Sequence, residues 1–240
     1  MKKLLGYIKG LLLIAFIVFL YGFSSSRNRV KKIDRIDIQF ENGDNLFITY
    51  EMVNKLLIQN YDGLKSQPKE NILLNKLEDV LLSNEMIENA EVFISVDGEL
   101  GAVIKQRTPI VRVRQNEEAY YIDSKGGKMP LSNNYSARVP IVEGIYNDEI
   151  SEEIYTLATY INEDAFLKKQ IVGIEQTPKK EFILKTRIGN QSIEFGDLRK
   201  MDQKFNKLKA FYQKKINDNT LDMYKKINLI YDHQVVCTKR

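Results

Sequence analysis

The sequence predicts an α+β chain: one N-terminal transmembrane helix, a small domain of β-α-α-β-β order, then a mostly antiparallel β domain with two helices. Three observations predict it. A charge-free apolar run, Leu11–Phe23, follows a short basic head. Between Ile33 and Arg107 the hydrophobic period passes from two to 3.6 and back. Beyond Pro109, short β-like runs and turn residues dominate, broken by two helical stripes.

Bulk composition narrows the function. The 240 residues suggest one or two domains. Hydrophobic residues at 43% against 28% charged fit a folded chain, so disorder is a poor general description. A net charge of +4 is too small to imply a nucleic-acid partner. One cysteine, Cys237, and one histidine, His233, exclude a Cys/His zinc cluster and an intrachain disulfide. No metal site and no cofactor are expected.

The first segment is read as an anchor. Leu11–Phe23 alone is too short for a ~30 Å bilayer core, but residues 4–23 give about 20 residues, which suffice at ~1.5 Å rise each. Lys9 then lies near the inner end, where it can snorkel. Tyr7 and Tyr21 fall near the two interfaces. Residues 1–3 are expected as a cytoplasmic tail and 24–32 as a linker. Lys2, Lys3 and Lys9 on one side are balanced by Arg27, Arg29, Lys31 and Lys32 on the other, so charge alone does not orient the helix. An N-terminus inside, with the bulk outside the cytoplasmic membrane, is the simpler arrangement. A cleaved signal peptide, ending near Ser24-x-Ser26, is the alternative.

The next elements follow in order. Ile33–Phe40 reads as a strand with one apolar face after an irregular start, on Ile33, Ile36, Ile38 and Phe40. Thr49 precedes a helix whose stripe is Met52, Val53, Leu56, Leu57 and Tyr61. A loop over 62–71 leads to a second helix from Ile72, with Leu73, Leu77, Val80, Leu81 and Leu82 as its stripe. A strand follows with Val92, Ile94 and Val96 on one face, then an Asp97-Gly98 turn and a return strand to Arg107.

From Pro109 the strands are "IVRVR" and "AYYID", a turn over "SKGGKM", and short extended runs at "MPLS" and "RVPIVEG". Ser151 caps a helix whose first turn carries Glu152 and Glu153. "QIVGIEQT", "EFILKTRI" and "QSIEFG" are strands. Asp197 is expected to cap a basic helix from Leu198, with a core stripe of Leu198, Met201, Phe205, Leu208 and Tyr212. Its cations, Arg199, Lys200, Lys204, Lys207, Lys209, Lys214 and Lys215, stand against a single acid, Asp202. They read as a solvated face or as a contact for an acidic partner. "KINLIYDHQVVCTKR" closes the chain as β structure.

This series resembles the cell-division family FtsQ/DivIB. "RTPIVRV" (Arg107–Val113) is similar to the family's seam between a POTRA domain and a β domain, with Pro109 where a missing N–H does least harm. "YYIDSKGGKM" is similar to its strand and D-x-x-G turn, with Asp123 and Gly126 matching. "VPIVEG" and "SIEFGDLRKMDQKFNKL" resemble further family elements, Gly196 carrying the second turn. "INLIYD" (Ile227–Asp232) resembles the family's V-D-L-R-Y strand; Leu229 and Tyr231 match, while Asn228 and Ile230 replace its aspartate and arginine. The resemblance implies a β-α-α-β-β POTRA domain over 33–107 and an FtsQ-type β domain over 108–240.

It further implies a non-enzymatic division scaffold at the septum. Such a scaffold binds FtsB and FtsL type division proteins outside the membrane and helps control septal peptidoglycan synthesis. Other divisome proteins are expected on the POTRA domain. The implied contact is strand addition to the last sheet edge, so the partner-binding residues are Tyr231, Ile230, Val235, Val236 and Thr238. A proline at Val236 is expected to remove an edge N–H. The residues themselves leave alternatives open. Ile227, Leu229 and Tyr231 share a strand parity, which would bury Tyr231. His233 reads as a turn or surface residue and Cys237 as a small strand residue. An exported soluble POTRA-containing binding or polypeptide-escort protein is the rival function. No catalytic residue is expected: the G-x-S-x-G, H-E-x-x-H and P-loop patterns are missing, and the adjacent pairs Glu117-Glu118 and Glu152-Glu153 diverge rather than share a cleft.

Overall fold

The computed structural model describes residues 2–29, 31–43, 45–60, 68–115, 118–144, 151–232 and 234–240. They form two compact units, Met1–Gln106 and Arg107–Arg240. His233, Glu117, Tyr61 and loop residues 62–67 lie outside the described residues, as do the side chains of Lys2, Lys3, Tyr7, Arg27 and Arg29.

The first unit opens with α1 (Lys2–Arg29). Its stretch Ile8–Ser26 has a mean hydropathy of 2.0 and none of it is buried, so by length and composition it can cross a membrane. The segment 24–32, expected as a linker, is helical as far as Arg29. Then come β1 (Arg35–Phe40), α2 (Tyr50–Asn60), α3 (Leu74–Leu82), β2 (Ile87–Ile94) and β3 (Glu99–Gln106). The sheet order is β1-β3-β2, with β1 parallel and β2 antiparallel to β3. The chain thus leaves α3 into the edge strand β2, and the hairpin return β3 lies at the centre, paired with the first strand.

Local chemistry explains these elements. The Thr49 hydroxyl accepts the Met52 N–H at 3.4 Å at the start of α2. The buried Gln106 side chain accepts the N–H groups of Phe47 and Ile48 at 2.8 and 2.9 Å, holding the chain that enters α2. Val53 and Leu57 of α2 and Leu77 and Leu81 of α3 are the buried helical residues. Met52, Leu73 and Leu82, expected in the stripes, are exposed, and Ile72 is buried ahead of α3. Helix rotation and the late start of α3 at Leu74 account for this. Val96 lies past the end of β2, on the hairpin, and is exposed.

Among the described residues, the second unit is a nine-stranded sheet under three α-helices. Its strands are β4 (Pro109–Gln115), β5 (Glu118–Asp123), β6 (Lys128–Met129), β7 (Ile141–Glu143), β8 (Ile171–Gln176), β9 (Phe182–Thr186), β10 (Ser192–Gly196), β11 (Tyr224–Asn228) and β12 (Val236–Lys239). The order is β12-β11-β10-β9-β8-β7-β4-β5-β6. Five pairings are antiparallel. Three are parallel: β10 with β11, β4 with β7, and β7 with β8. The helices are α4 (Glu152–Glu163), α5 (Ala165–Gln170) and α6 (Met201–Asn217). The sequence reading has two helices here; α5 is a further short one, started by Asp164, whose carboxylate accepts the Phe166 and Leu167 N–H groups. "MPLS" is strand only at its first residue, Met129.

One face of this sheet packs on the helices. Ile154, Leu157 and Ile161 of α4 meet Ile174, Leu184, Ile193, Phe195 and Ile227, with Phe205, Leu208 and Tyr212 of α6. The other face is a charged ladder. Lys185 Nζ lies 2.8 Å from Glu143 and 3.6 Å from Glu175, and Lys226 Nζ lies 2.7 Å from Glu194. Such exposed pairs add little stability, but they keep that face solvated. The D-x-x-G turn is held by Asp123, whose buried carboxylate accepts the Lys125 and Gly127 N–H groups and the Arg107 Nε–H at 3.0, 2.7 and 2.7 Å. Gly126 takes φ +82° there, a backbone that a side chain would strain.

Candidate functional site

β12 is the last strand at one end of the nine-stranded sheet, so among the described residues one of its sides has no strand neighbour. Which backbone groups face that side follows from alternation along the ladder. The Leu229 N–H donates to the Glu194 carbonyl at 2.9 Å. This aims Ile227 and Leu229 at β10, and Lys226 and Asn228 at β12. The register pairs Lys226 with Thr238 and Asn228 with Val236. At the other end the Arg240 N–H donates to the Met223 carbonyl at 3.0 Å. Both ends agree: Val236 and Thr238 turn their N–H and C=O inward to β11, while Cys237 and Lys239 turn theirs outward. The expectation that a proline at Val236 removes an edge donor is therefore corrected. The edge donors belong to Cys237 and Lys239.

Side chains sort by the same parity. Val235 and Cys237 are half-buried against the helix-side core. Val236 and Thr238 are exposed on the solvent face. Burial pushes the Cys237 thiol up, with Lys215 partly offsetting it, so the cysteine behaves as a small neutral packing residue.

The free edge of β2 contrasts with this one. Val92 N–H points away from β3, because Ser95 N–H, three residues on, is the one that reaches the Glu99 carbonyl. Glu78 of α3 accepts that Val92 N–H at 2.9 Å. A carboxylate thus covers an edge donor in the smaller sheet. At the β6 end of the larger sheet the strand is only Lys128–Met129, and the Lys128 carbonyl accepts from Arg107 at 3.0 Å. Among the described residues, no side chain meets the N–H of Cys237 or Lys239.

Ile230 and Tyr231 sit on the turn between β11 and β12, with 49% and 52% of their surface exposed. Ile227 and Leu229 are fully buried. The core alternative for Tyr231 is thereby overturned: β11 ends at Asn228, and strand parity does not extend through the turn. Asn228 makes that turn. Its Oδ1 accepts the Ile230 N–H at 2.9 Å, and its Nδ2 donates to Glu194 at 2.6 Å. An aspartate, the family's residue at this place, would set a second carboxylate against Glu194. Ile230 rests on Gly196, where φ is +74° and an added Cβ would stand 3.0 Å from Ile230 Cγ1.

The basic helix differs from its sequence reading. It begins at Met201 rather than Leu198, and its N-cap, Lys200, makes no side-chain cap. Asp197 does not cap it. Its carboxylate accepts the Arg199 N–H at 3.1 Å and lies 3.2 Å from Lys204 Nζ. Lys204 is buried, 6% exposed, with its ammonium also on the Asp197 carbonyl at 2.7 Å and over the Phe195 ring. Lys209 pairs with Asp164. Burial raises the Tyr160 hydroxyl to about 12, helped by its hydrogen bond to Asp202, the helix's lone acid. Much of the expected solvated basic face is thus engaged internally. Beside it, Lys207, Ala210, Phe211, Lys214, Gln234 and Val235 line an open groove of about 300 Å³ that runs next to the start of β12.

Sequence reasoning places the edge at Val235–Lys239 but does not single out Cys237 and Lys239 as its outward donors, nor Lys207 as a neighbour of the site. The parity of β12 was legible, but its phase depends on the partner strand. A family model described as FtsQ/DivIB, C-terminal related matches residues 108–238. A second, described as a POTRA-like domain, matches residues 32–105. No curated protein matches the chain.

Proposed function

Because the chain belongs to the FtsQ/DivIB family, matched over residues 108–238, more than half its length, we propose that it binds FtsB and FtsL type division proteins by strand addition to β12. It is a cell-division protein with a POTRA-like domain, of a family of non-enzymatic division scaffolds. Its one apolar helix and its family indicate a single-pass membrane protein. In this reading the N-terminus is inside, the two units stand outside the cytoplasmic membrane at the septum, and the bound complex helps control septal peptidoglycan synthesis. Further divisome proteins dock on the POTRA unit.

The observation that supports strand addition is the pair of outward, uncovered N–H groups of Cys237 and Lys239. Strand addition draws affinity from main-chain hydrogen bonds and specificity from flanking side chains. Val236 and Thr238 flank the edge on one face, Val235 and the groove on the other. Tyr231, an exposed aromatic with a polar tip, suits an anchor at the rim.

The test is binding of the full chain in nanodiscs to the extracytoplasmic segments of FtsB and FtsL type proteins, beside a chain ending at Asp232. Binding by the full chain alone supports the reading. Equal binding by the shortened chain moves the site away from β12. No binding by a full chain of normal melting temperature removes this partner assignment.

A further inference from the structure

We infer that Lys207, seconded by Lys200, is a positioning residue that holds the Leu229–Asp232 turn and so presents Tyr231 and the start of β12 to a partner. The purpose rests on the strand-addition reading; the geometry does not.

Three carbonyl oxygens converge on one ammonium. Lys207 Nζ lies 3.3 Å from the Leu229 oxygen, 2.5 Å from that of Tyr231 and 3.4 Å from that of Asp232. A lysine has three donors and no acceptor, so three carbonyls match its full capacity. These carbonyls lie just beyond β11, whose last residue is Asn228, on the connection to β12. Lys207 is half-buried, with its side chain along the groove beside Phe211 and Val235, unlike a solvated surface lysine.

A second cation fixes the far side of the same turn. Lys200 Nζ lies 2.8 Å from the Asp232 carboxylate. Lys200 itself is at φ 57°, a left-handed backbone that glycine would adopt without strain. Glycine would forfeit the pair with Asp232. With Ile230 resting on Gly196 and Asn228 closing the turn at Ile230, the backbone is held from four directions. The Tyr231 side chain projects, half exposed, while its own carbonyl is gripped. An anchor on a fixed backbone loses less entropy on binding than one on a loose loop.

The test uses the full chain in nanodiscs. Lys207→Met keeps the stem and removes the donors; Lys207→Arg restores donors in a different geometry. In Lys207→Met, amide exchange across 229–236 should rise about tenfold while the melting temperature stays within about 2 °C of the parent. Affinity for the partner segment should fall about tenfold, with Lys207→Arg between. Unchanged exchange across 229–236 overturns the inference whatever the partner does. Exchange that rises equally throughout α6 and β8–β11 overturns it too, since Lys207 would then serve general stability. If the parent binds no segment, the partner reading falls, and the exchange of the turn still decides the clamp.

Discussion

The Glu78 carboxylate accepts the Val92 N–H at 2.9 Å, so helix α3 guards the free edge of β2 in the smaller sheet. An uncovered donor on a long edge strand invites pairing with another chain. Glu78→Ala should leave that donor open, lower stability by about 1 kcal/mol and raise self-association with concentration in analytical ultracentrifugation. Glu78→Gln retains an acceptor and should behave as the parent. An alanine variant that stays as monodisperse as the parent would show that the carboxylate guards nothing.

The two phases of β12 separate by proline. Lys239→Pro removes an outward N–H and should fold normally while weakening partner-strand binding at least about tenfold. Val236→Pro removes an inward N–H that faces Asn228, and should loosen β12 itself, seen as faster exchange at Thr238 and Arg240. Reversed outcomes would place the ladder one residue out of phase with the register described above.

Tyr231→Ala tests the anchor. With half of the residue exposed, its removal should leave the melting temperature within about 2 °C of the parent. Partner binding should weaken by about 2 kcal/mol, or roughly thirtyfold. A collapsed melting temperature would put the ring in the core after all; calorimetry beside a binding titration reads both.

Asp164 gives a pH signature. Burial pulls its pKa up, but hydrogen bonds from Lys209 and from the Leu167 and Phe166 N–H groups outweigh that and hold it below the usual carboxylate range. A lowered folded pKa means stability that is fully present above the unfolded value near 3.9 and is lost as pH falls through the folded one. Asp164→Asn keeps a capping acceptor and loses the charge. The parent should therefore be more stable than the variant at pH 7, by about 1 kcal/mol, and the gap should close as pH falls through the lowered folded pKa in denaturant titrations. A gap that persists in acid would assign the effect to something other than the carboxylate's charge.

Much of the fold was legible because it is local. Ser151 announces α4 by a hydroxyl that accepts the Ile154 N–H at 3.4 Å, three residues ahead. Ile193 and Phe195 alternate in β10, and Phe205, Leu208 and Tyr212 recur at helical spacing; all five are buried, as periodicity predicts. Asp123 and Gly126 spell their turn because a carboxylate and a left-handed residue are needed within four positions. The apolar run of α1 is read by composition alone.

The rest depends on partners distant in sequence. Parity could not say that β11 stops at Asn228, so it buried Tyr231 wrongly, and it could not phase β12 without the strand opposite. A count of lysines could not foretell that Lys204 turns back to Asp197, or that Lys207 meets three carbonyls of a turn 22 to 25 residues on. The parallel pairing of β10 with β11 across α6 is likewise a product of packing. The sequence by itself determined most of the elements, their order and much of their apolar faces, since these follow from interactions within one turn or one strand. Only the tertiary structure decided which edge stays open and which charges are engaged, because a hydrogen bond's direction exists only once both partners are in place.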